Sequence, residues 1–242
     1  ISACTARLHG KDVSIVTFND ITREMENNES ESWTRLIRVL THEIMNTVTP
    51  IASLSSALSQ NLDAYDTEDV RSALGTISSS SEGLISFVQS YRSLTNIAAP
   101  VRKAFYLRDL VNDSVTIAQA NWPSARVSYH ELSEDIILYA DYGQISQVMN
   151  NLIKNAVQAG ASDIDITASI DKRERTVINV ANNGEPISET GREQIFVPFY
   201  TTKGVSGTGV GLSLCRQIIR LNGGTINLTS STLEATVFTI VL

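Results

Sequence analysis

The residues of this 242-residue chain that could do chemistry lie in two places. In the segment LTHEIMNTVTP, residues 40–50, His42 stands beside Glu43, and Asn46 follows one helical turn later. Neutral imidazole is a good nucleophile near pH 7 because its unperturbed pKa is about 6.5. A lone histidine on a polar helix face is nevertheless more often an ordinary surface residue. The segment around His42 therefore does not establish a reaction by itself.

The second place is in the C-terminal half, where two segments suit a hard cation and a phosphate group. Asn151 and Asn155 are one turn apart in QVMNNLIKNA, so both amides lie on one helix face. Mg²⁺ takes few protein oxygen ligands and completes its shell with substrate phosphates and water. Gly207, Gly209 and Gly211 allow close backbone approach just before a helix N-terminus, which favours phosphate. No GK[ST] follows these glycines, so the segment is not a P-loop.

The first element that must position these residues is a pair of amphipathic helices. Apolar side chains recur at alternating steps of four and three residues over 33–58 and again over 70–91, with Thr47 and Ser81 each filling one gap. This heptad spacing is typical of helices in a bundle, and two such helices leave much of their apolar face uncovered. The sequence therefore predicts a homodimeric four-helix bundle. His42 lies two residues past the seam position Leu40 and should point to solvent. Pro50 predicts a kink of this helix between Asn46 and Pro50.

The second element is a layered α/β region after residue 103. The predicted strands are KAFYL, ARVSYHEL, DIILYA, DIDITASI, TVINVAN, TINLTSS and EATVFTIVL, and the predicted helices are RDLVNDSVTIAQA, DYGQISQVMNNLIKNAVQAG and VGLSLCRQIIRLNGG. Gly160 is the expected C-terminal cap of the central helix. A stretch rich in glycine, serine and threonine, residues 184–211, has the composition of a loop. This alternation predicts an α/β domain of packed layers.

Five motifs make the chain resemble the sensor histidine kinases of two-component systems over residues 30–242. HEIMN resembles the phospho-acceptor box, QVMNNLIKNA the asparagine box, NNGEPI the first glycine box, IFVPFYTTK the phenylalanine box and GTGVGLSL the second glycine box. Each motif is weak alone, but their joint order and spacing are specific. The resemblance implies a helical hairpin forming a dimeric four-helix bundle, followed by a two-layer α/β sandwich of the histidine-kinase ATPase (Bergerat) type.

The same resemblance implies three segments. Residues 1–22 would be the end of an upstream sensory, PAS-like domain and its linker, because DVSIVTFNDIT predicts a strand running into a helix. Residues 23–98 would be the dimerisation and histidine phosphotransfer domain, and residues 99–242 the catalytic ATP-binding domain. Homodimerisation would use residues 30–95, and the implied protein partner is the receiver domain of a response regulator.

Residue roles follow from the resemblance, with ATP and Mg²⁺ as the implied cofactors. His42 would accept the γ-phosphoryl group with Glu43 as general base, and Asn46 would orient water in a reverse phosphatase reaction. Asn155 would be the Mg²⁺ ligand. The other implied nucleotide-binding residues are Asn151, Asn182, Gly184, Ile187, Phe196, Thr201, Thr202, Lys203, Gly207, Thr208, Gly209, Gly211 and Leu212. Related ATPases carry a water-activating glutamate where this chain has Asn151, so transfer to a side chain is favoured over hydrolysis.

The chain departs from the family pattern at several positions. Asn182 replaces the usual aspartate that accepts a hydrogen bond from the adenine amino group, and Pro186 replaces a glycine. An amide oxygen can still accept that bond, but it loses charge assistance of roughly 1 kcal/mol. Gln158 stands where many members have a phosphate-contacting lysine, and Thr47 where many have proline. These changes put nucleotide affinity and the position of the kink in question.

Two other functions remain open on the sequence. The first is a catalytically weak pseudokinase, a dimeric scaffold that binds a response regulator without phosphorylating itself; Asn182 and Pro186 favour it. The second is an ATPase or protein-serine kinase of the same fold, which predicts that His42→Gln leaves turnover intact. Incorporation of acid-labile phosphate from labelled ATP separates the kinase from the scaffold.

Composition and charge exclude some classes. The chain has 26 acidic and 19 basic residues, a net charge of -7, which argues against nonspecific nucleic-acid binding. Cys4 and Cys215 are far apart without metal-ligand spacing, so a reducing compartment is the simpler interpretation. No apolar run approaches the roughly 18 to 20 residues that cross a bilayer. We expect a cytoplasmic location, with the full-length protein either free or anchored in the inner membrane of a bacterium through an upstream segment.

Overall fold

The computed structural model describes residues 2–8, 11–17, 41, 44–60, 66–202 and 207–242. It divides into two compact units, residues 1–81 and 82–242. The division falls within a long helix, so the predicted domain boundary at residue 98 stays a prediction. None of the helices in the described ranges combines the length and the apolar character that crossing a membrane requires.

The first unit begins with a hairpin of two strands. Strand β1 (Ser2–Leu8) pairs antiparallel with β2 (Lys11–Thr17). The sequence pattern predicted a strand at β2 but did not predict its partner β1. Helical residues 44–60, here α1, and helix α2 (Thr67–Thr95) follow. The assignment of these strands to a PAS-like domain stays a prediction.

Both helices carry apolar side chains with the predicted heptad rhythm. On α2 the positions Val70, Ile77, Leu84 and Tyr91 are partly buried, and Leu94 is buried. Pro50 lies inside the continuous helical residues 44–60, and the predicted kink stays a prediction. His42 and Glu43 lie outside the described residues, so the predicted exposure of His42 is also untested.

The second unit contains one five-stranded sheet and one two-stranded ribbon. The strands are β3 (Lys103–Tyr106), β4 (Arg126–Glu131), β5 (Ile137–Ala140), β6 (Asp163–Ile170), β7 (Thr176–Asn182), β8 (Thr225–Ser231) and β9 (Thr236–Val241). The sheet has the order β4-β6-β7-β9-β8, while β3 and β5 pair antiparallel in the ribbon. Within the sheet β4 and β6 are parallel and the other neighbouring pairs are antiparallel. All seven strands predicted for this region are confirmed.

Besides the end of α2, the described residues of this unit form four helices. They are α3 (Leu107–Asn121), α4 (Tyr142–Gln158), the short α5 (Glu189–Arg192) and α6 (Gly211–Leu221). The central helix α4 packs against both α3 and α6. It begins at Asp141, whose side chain accepts a hydrogen bond from the backbone N–H of Gln144. It ends before Gly160, whose φ of +78° confirms the predicted glycine terminator. The short helix α5 was not predicted.

The core lies between the three long helices of this unit, α3, α4 and α6, and one face of the sheet. Alternate strand residues point into it because successive side chains of a strand face opposite sides. Ile164, Ile166 and Ala168 of β6 are at most 1 % exposed, and Ile145 and Ile153 of α4 are fully buried. Helix α6 adds Ile218 and Ile219 to the same cluster. The predicted helical part followed by a two-layer α/β sandwich is confirmed.

Candidate functional site

A cleft of about 430 Å³ opens at one end of the sandwich, where α4, β7 and the start of α6 meet. Its lining combines polar side chains with a few apolar ones. The lining residues are Asn151, Lys154, Asn155, Ala156, Gln158, Ala159, Asn182, Glu185, Pro186, Ile187, Ser188, Gly191, Ile195, Tyr200, Thr201, Thr202, Gly207, Thr208, Gly209, Gly211, Leu212, Thr236 and Phe238. A concave site of this size with convergent polar groups suits a small-molecule ligand.

One wall of the cleft is the polar face of α4. A Cβ atom added to Gly211, at the start of α6, would lie 3.8 Å from Asn151 Oδ1 and 3.8 Å from Asn155 Nδ2. Asn155 Nδ2 is buried and has no hydrogen-bond partner in the described part of the chain. A buried donor without a partner is costly, about 1–3 kcal/mol, and persists where a ligand supplies the acceptor. The two predicted asparagines therefore lie on one wall of the cleft, and Asn155 Nδ2 is a donor that an oxygen atom of a ligand could satisfy.

A buried thiol lies behind these amides. Cys215 of α6 is fully buried and lies 3.9 Å from the carbonyl oxygen of Val148 on α4, to which the thiol donates. Burial raises the pKa of the Cys215 thiol to about 12, against a smaller lowering by a hydrogen bond with the Asn151 side chain. The thiol is thus neutral at ordinary pH. It supports Asn151 from the core side rather than acting as a nucleophile.

The N-terminus of α6 faces the cleft without a side-chain cap. Asp141 caps α4 and Ser188 caps α5, but Val210, the residue before α6, offers no side-chain acceptor. The first backbone N–H groups of a helix have no intrahelical partner, and the helix dipole makes this end partly positive. Gly211 and Leu212 line the cleft at this point. An uncapped helix start of this kind is suited to an anionic group.

The opposite end of the cleft is formed by strand ends. Asn182, the last residue of β7, is 6 % exposed and lies opposite Thr236 of β9 in the sheet register. The Thr236 hydroxyl lies 2.8 Å from the Ser231 hydroxyl, which accepts a hydrogen bond from the backbone N–H of Ile187 at 2.8 Å. The Arg192 guanidinium donates to the backbone carbonyl of Ser231. This buried polar network fixes the floor of the cleft beside Asn182.

Two glycines shape the walls by close backbone approach. Gly209 has φ +64°, and a Cβ there would lie 2.4 Å from the backbone carbon of Phe199. The Phe199 N–H donates to the Gly209 carbonyl at 2.9 Å, which joins the two sides of the loop. A Cβ on Gly184 would lie 2.7 Å from the Ala159 carbonyl oxygen. Larger residues at either position would force the backbone apart.

The two phenylalanines of the same segment pack against other aromatic rings. Phe196 lies edge-on to Phe238 with the ring centroids 6.4 Å apart, and the Arg216 guanidinium lies 5.5 Å from its centroid. Phe199 lies 5.2 Å from the ring of Phe87 on α2. Both rings therefore anchor the segment that leads into the loop.

The sequence-predicted residues are distributed as follows. The cleft brings together Asn151, Asn155, Asn182, Ile187, Thr201, Thr202, Gly207, Thr208, Gly209, Gly211 and Leu212. Gly184 and Phe196 lie beside it but do not line it, for the packing reasons given above. Asn46 is exposed on α1. Lys203, like His42 and Glu43, lies outside the described residues. The roles of all these residues stay predictions.

Several lining residues were not singled out from the sequence as site residues. They include Lys154, Glu185, Ser188, Tyr200 and Thr236. Lys154 stands within the asparagine motif, so the motif itself could have indicated it. Thr236 is 54 positions from Asn182 along the chain, and only the pairing of β7 with β9 makes them neighbours. No local pattern carries that information.

A metal ion here would have to be held by amide oxygen atoms. Among the residues that the structure describes, no group of three or more His, Cys, Asp or Glu side chains could hold a metal. Asn155 fits a hard cation because its amide offers an oxygen ligand. The remaining ligands would come from substrate phosphates and water.

Comparisons with known proteins identify the region around this cleft. The family model described as histidine kinase-, DNA gyrase B-, and HSP90-like ATPase matches residues 140–242. The nitrogen regulation protein NtrY of Azorhizobium caulinodans is 25 % identical over 226 residues, covering 88 % of this chain and 29 % of NtrY. The chain thus spans less than a third of the length of that curated relative.

Solved structures give the same result. The catalytic domain of the histidine kinase ThkA is 33 % identical, with a TM-score of 0.53, and the match covers 58 % of this chain and 94 % of that domain. The structure of ThkA in complex with the response regulator protein TrrA matches with a TM-score of 0.65 and 24 % identity, covering 96 % of this chain and 68 % of that chain. This second match supports the fold over nearly the whole chain.

Proposed function

This chain belongs to the histidine kinase family, and we propose that it is the core of a sensor kinase that uses ATP to phosphorylate its own His42. The proposal continues with transfer of the phosphoryl group to an aspartate of a response regulator. The observation that carries it is the cleft, in which two helix amides and an uncapped helix start face each other. This arrangement suits the phosphates of a nucleotide.

The two ends of the cleft would bind different parts of the nucleotide. Gly211 and Leu212 would bind phosphate oxygens through backbone N–H groups, and the unpaired Asn155 Nδ2 would donate to another. Asn155 Oδ1 would hold Mg²⁺, which supplies neutralisation of phosphate charge when it is bound. Asn182, buried at the other end, would contact the base. Positioning and charge stabilisation of this kind account for most of the catalysis in phosphoryl transfer.

The reaction requires an imidazole nitrogen of His42 with its lone pair free. That nitrogen forms a P–N bond to the γ-phosphorus while the bond to the β–γ bridging oxygen breaks, and ADP leaves with that electron pair. Glu43 would accept the proton that the ring releases. In the second step an aspartate oxygen of the regulator attacks the phosphorus and the P–N bond breaks. Asn46 would orient water in the reverse phosphatase reaction.

The exposed apolar side chains of the helices support a homodimer. On α1 they are Ile44, Met45 and Val48, and on α2 Leu74, Ile85 and Val88. Rows of exposed apolar residues on a helix surface mark a face that another helix covers. A second copy of this chain would supply that helix through residues 30–95. A response regulator is the proposed second partner, since ThkA, whose catalytic domain is similar, was solved in complex with one.

The test is incubation of the purified chain with ATP labelled at the γ-position and Mg²⁺. We expect label that is stable in alkali and lost in acid, as a phosphoramidate requires, and its absence from His42→Gln. His130→Gln is the matched control, because His130 is an exposed histidine on β4 with no part in the cleft. Equal labelling of the His42→Gln variant would contradict the proposal.

The alternative, a pseudokinase scaffold, is favoured by Asn182 and Pro186 and predicts a different result. A scaffold would bind a regulator and incorporate no acid-labile phosphate at any nucleotide concentration. Labelling of His42 excludes it, whereas regulator binding without labelling supports it.

A further inference from the structure

The base end of the cleft holds an amide where the family motif has a carboxylate. Asn182 is 94 % buried, since only 6 % of it is exposed, yet it lines the cleft. Among the described residues its side-chain amide makes no hydrogen bond, and unlike Asn155 Nδ2 its polar atoms are not fully shielded, so they reach the open cleft. A buried amide directed into a cleft without a partner is a site for a ligand's polar edge.

The neighbours of Asn182 do not fix which way its amide faces. Thr236, directly opposite in the sheet, directs its hydroxyl to Ser231 at 2.8 Å. The Ser231 hydroxyl is also bonded to the Ile187 N–H. The Thr236 and Ser231 hydroxyls therefore have hydrogen-bond partners other than Asn182. The Asn182 amide can present either its oxygen or its NH₂ group to the cleft by a half-turn about its last side-chain bond.

This freedom changes what the site can recognise. An ionised carboxylate only accepts hydrogen bonds, so at this position it selects a purine with an amino group at carbon 6 and repels a carbonyl oxygen there. An amide accepts with its oxygen and donates with its nitrogen. With the oxygen inward it pairs with the 6-amino group of adenine, and with the nitrogen inward it pairs with the oxygen of a 6-oxopurine.

We propose that Asn182 makes this site accept 6-oxopurine nucleoside triphosphates as well as ATP. The inference rests on the proposed function, because it assumes that the cleft takes a purine nucleotide with its base at Asn182. Asn182 would decide which purines bind. The aspartate of the usual motif would exclude 6-oxopurines, and this chain lacks that aspartate. The substrate class therefore widens from adenine nucleotides to purine nucleotides.

The experiment measures dissociation constants of the whole chain for ATP and for inosine triphosphate, each with Mg²⁺. Inosine triphosphate is the probe because it carries the 6-oxo group and lacks the 2-amino group of guanine. We expect the two constants to agree within about tenfold for the natural chain. In Asn182→Asp, ATP should bind more tightly and inosine triphosphate more weakly, so that their ratio rises to at least about 100.

Asn227→Asp is the matched control, since Asn227 is an exposed asparagine on β8 that does not line the cleft. It adds the same charge and should leave the ratio unchanged. A ratio above about tenfold in the natural chain, with ATP bound, overturns the inference and leaves the proposed function standing. A natural chain that binds neither nucleotide overturns the proposed function itself. If Asn182→Asp fails to fold, the ratio in the natural chain still decides.

Discussion

Helices of the α/β unit and of the helical part both carry an apolar face, but this face is covered in the first region and partly exposed in the second. On α4 the apolar stripe is fully covered, and Ile145, Met149 and Ile153 are 0 % exposed. On the helical part comparable residues stay open, with Met45 57 % and Leu74 54 % exposed. A sheet and two neighbouring helices cover α4, whereas the apolar rows of α1 and α2 keep exposed members. The first region therefore completes a core within one chain, whereas under the proposed function the second completes its core with a second copy.

This difference has a functional consequence under the proposed function. The nucleotide cleft needs residues from α4, β7, β9 and α6 at fixed positions, and a closed core provides this because packed interiors yield little. A helix pair that shares its core with a second copy can change its packing more readily. Each prediction below tests one side of that comparison.

The largest expected effect is the loss of core packing in the α/β unit. Ile153→Ala removes most of a fully buried side chain and leaves a cavity, so we expect the free energy of unfolding to fall by about 2–5 kcal/mol. Ile137→Ala, at a position 57 % exposed, is the control and should change it by less than about 0.5 kcal/mol. Denaturant titration measures both. If both substitutions lowered the free energy of unfolding by the same small amount, Ile153 would not lie in a tightly packed core.

An intermediate effect is expected at the open face of α2. Leu74→Glu places a charge on the proposed dimer seam, so the dimer dissociation constant should rise by at least about tenfold, with ATP affinity unchanged. Ser72→Glu adds the same charge at an exposed position off the seam and should leave the constant unchanged. Sedimentation across a range of protein concentrations gives the values. If both variants weaken the dimer equally, the seam lies elsewhere.

The smallest effect at neutral pH concerns Cys215. Burial raises the pKa of its thiol from an ordinary value of 9.0 to about 12, so the folded chain holds this proton where the unfolded chain releases it. The contribution of this group to stability is therefore complete below pH 9 and is lost as pH rises from 9 towards 12, by at most about 1.4 kcal/mol per pH unit. Unfolding measured at pH 8 and pH 10 checks the direction.

Cys215→Val provides the comparison for that measurement, because it removes the thiol and leaves the other titratable groups of the chain in place. The loss of stability between pH 8 and pH 10 should be smaller in this variant. In a Cys4→Ser background the remaining thiol should resist alkylation until the protein unfolds. Rapid alkylation of the folded chain would show that the core beneath Asn151 opens to solvent.

Much of the α/β unit followed from local pattern. The strands and long helices of residues 103–242 were predicted from alternation and helical periodicity, and Gly160 from its place after α4. The hairpin partner β1 and the short helix α5 were missed, because a single short segment carries too few residues to establish a period. The parallel pairing of β4 with β6 was also missed, since pairing depends on contacts between distant segments.

The candidate site shows the same division. The motifs indicated about half of the residues that line the cleft. The packing of Phe196 on Phe238 was expected only because phenylalanines usually pack, and no local pattern indicated that Gly184 serves the close approach of Ala159. Thr236 and the buried thiol of Cys215 became visible only once strands and helices were placed side by side.

The sequence by itself determined the kinds of elements, the two asparagines on one helix face, the glycines before α6 and the likeness to histidine kinases. These properties depend on neighbours along the chain, where periodicity and backbone preference act directly. Only the tertiary structure decided that Asn182 is buried and opposite Thr236, and that Asn155 Nδ2 has no partner within the described residues. Burial and hydrogen-bond satisfaction depend on which distant segments meet, and no local pattern specifies that.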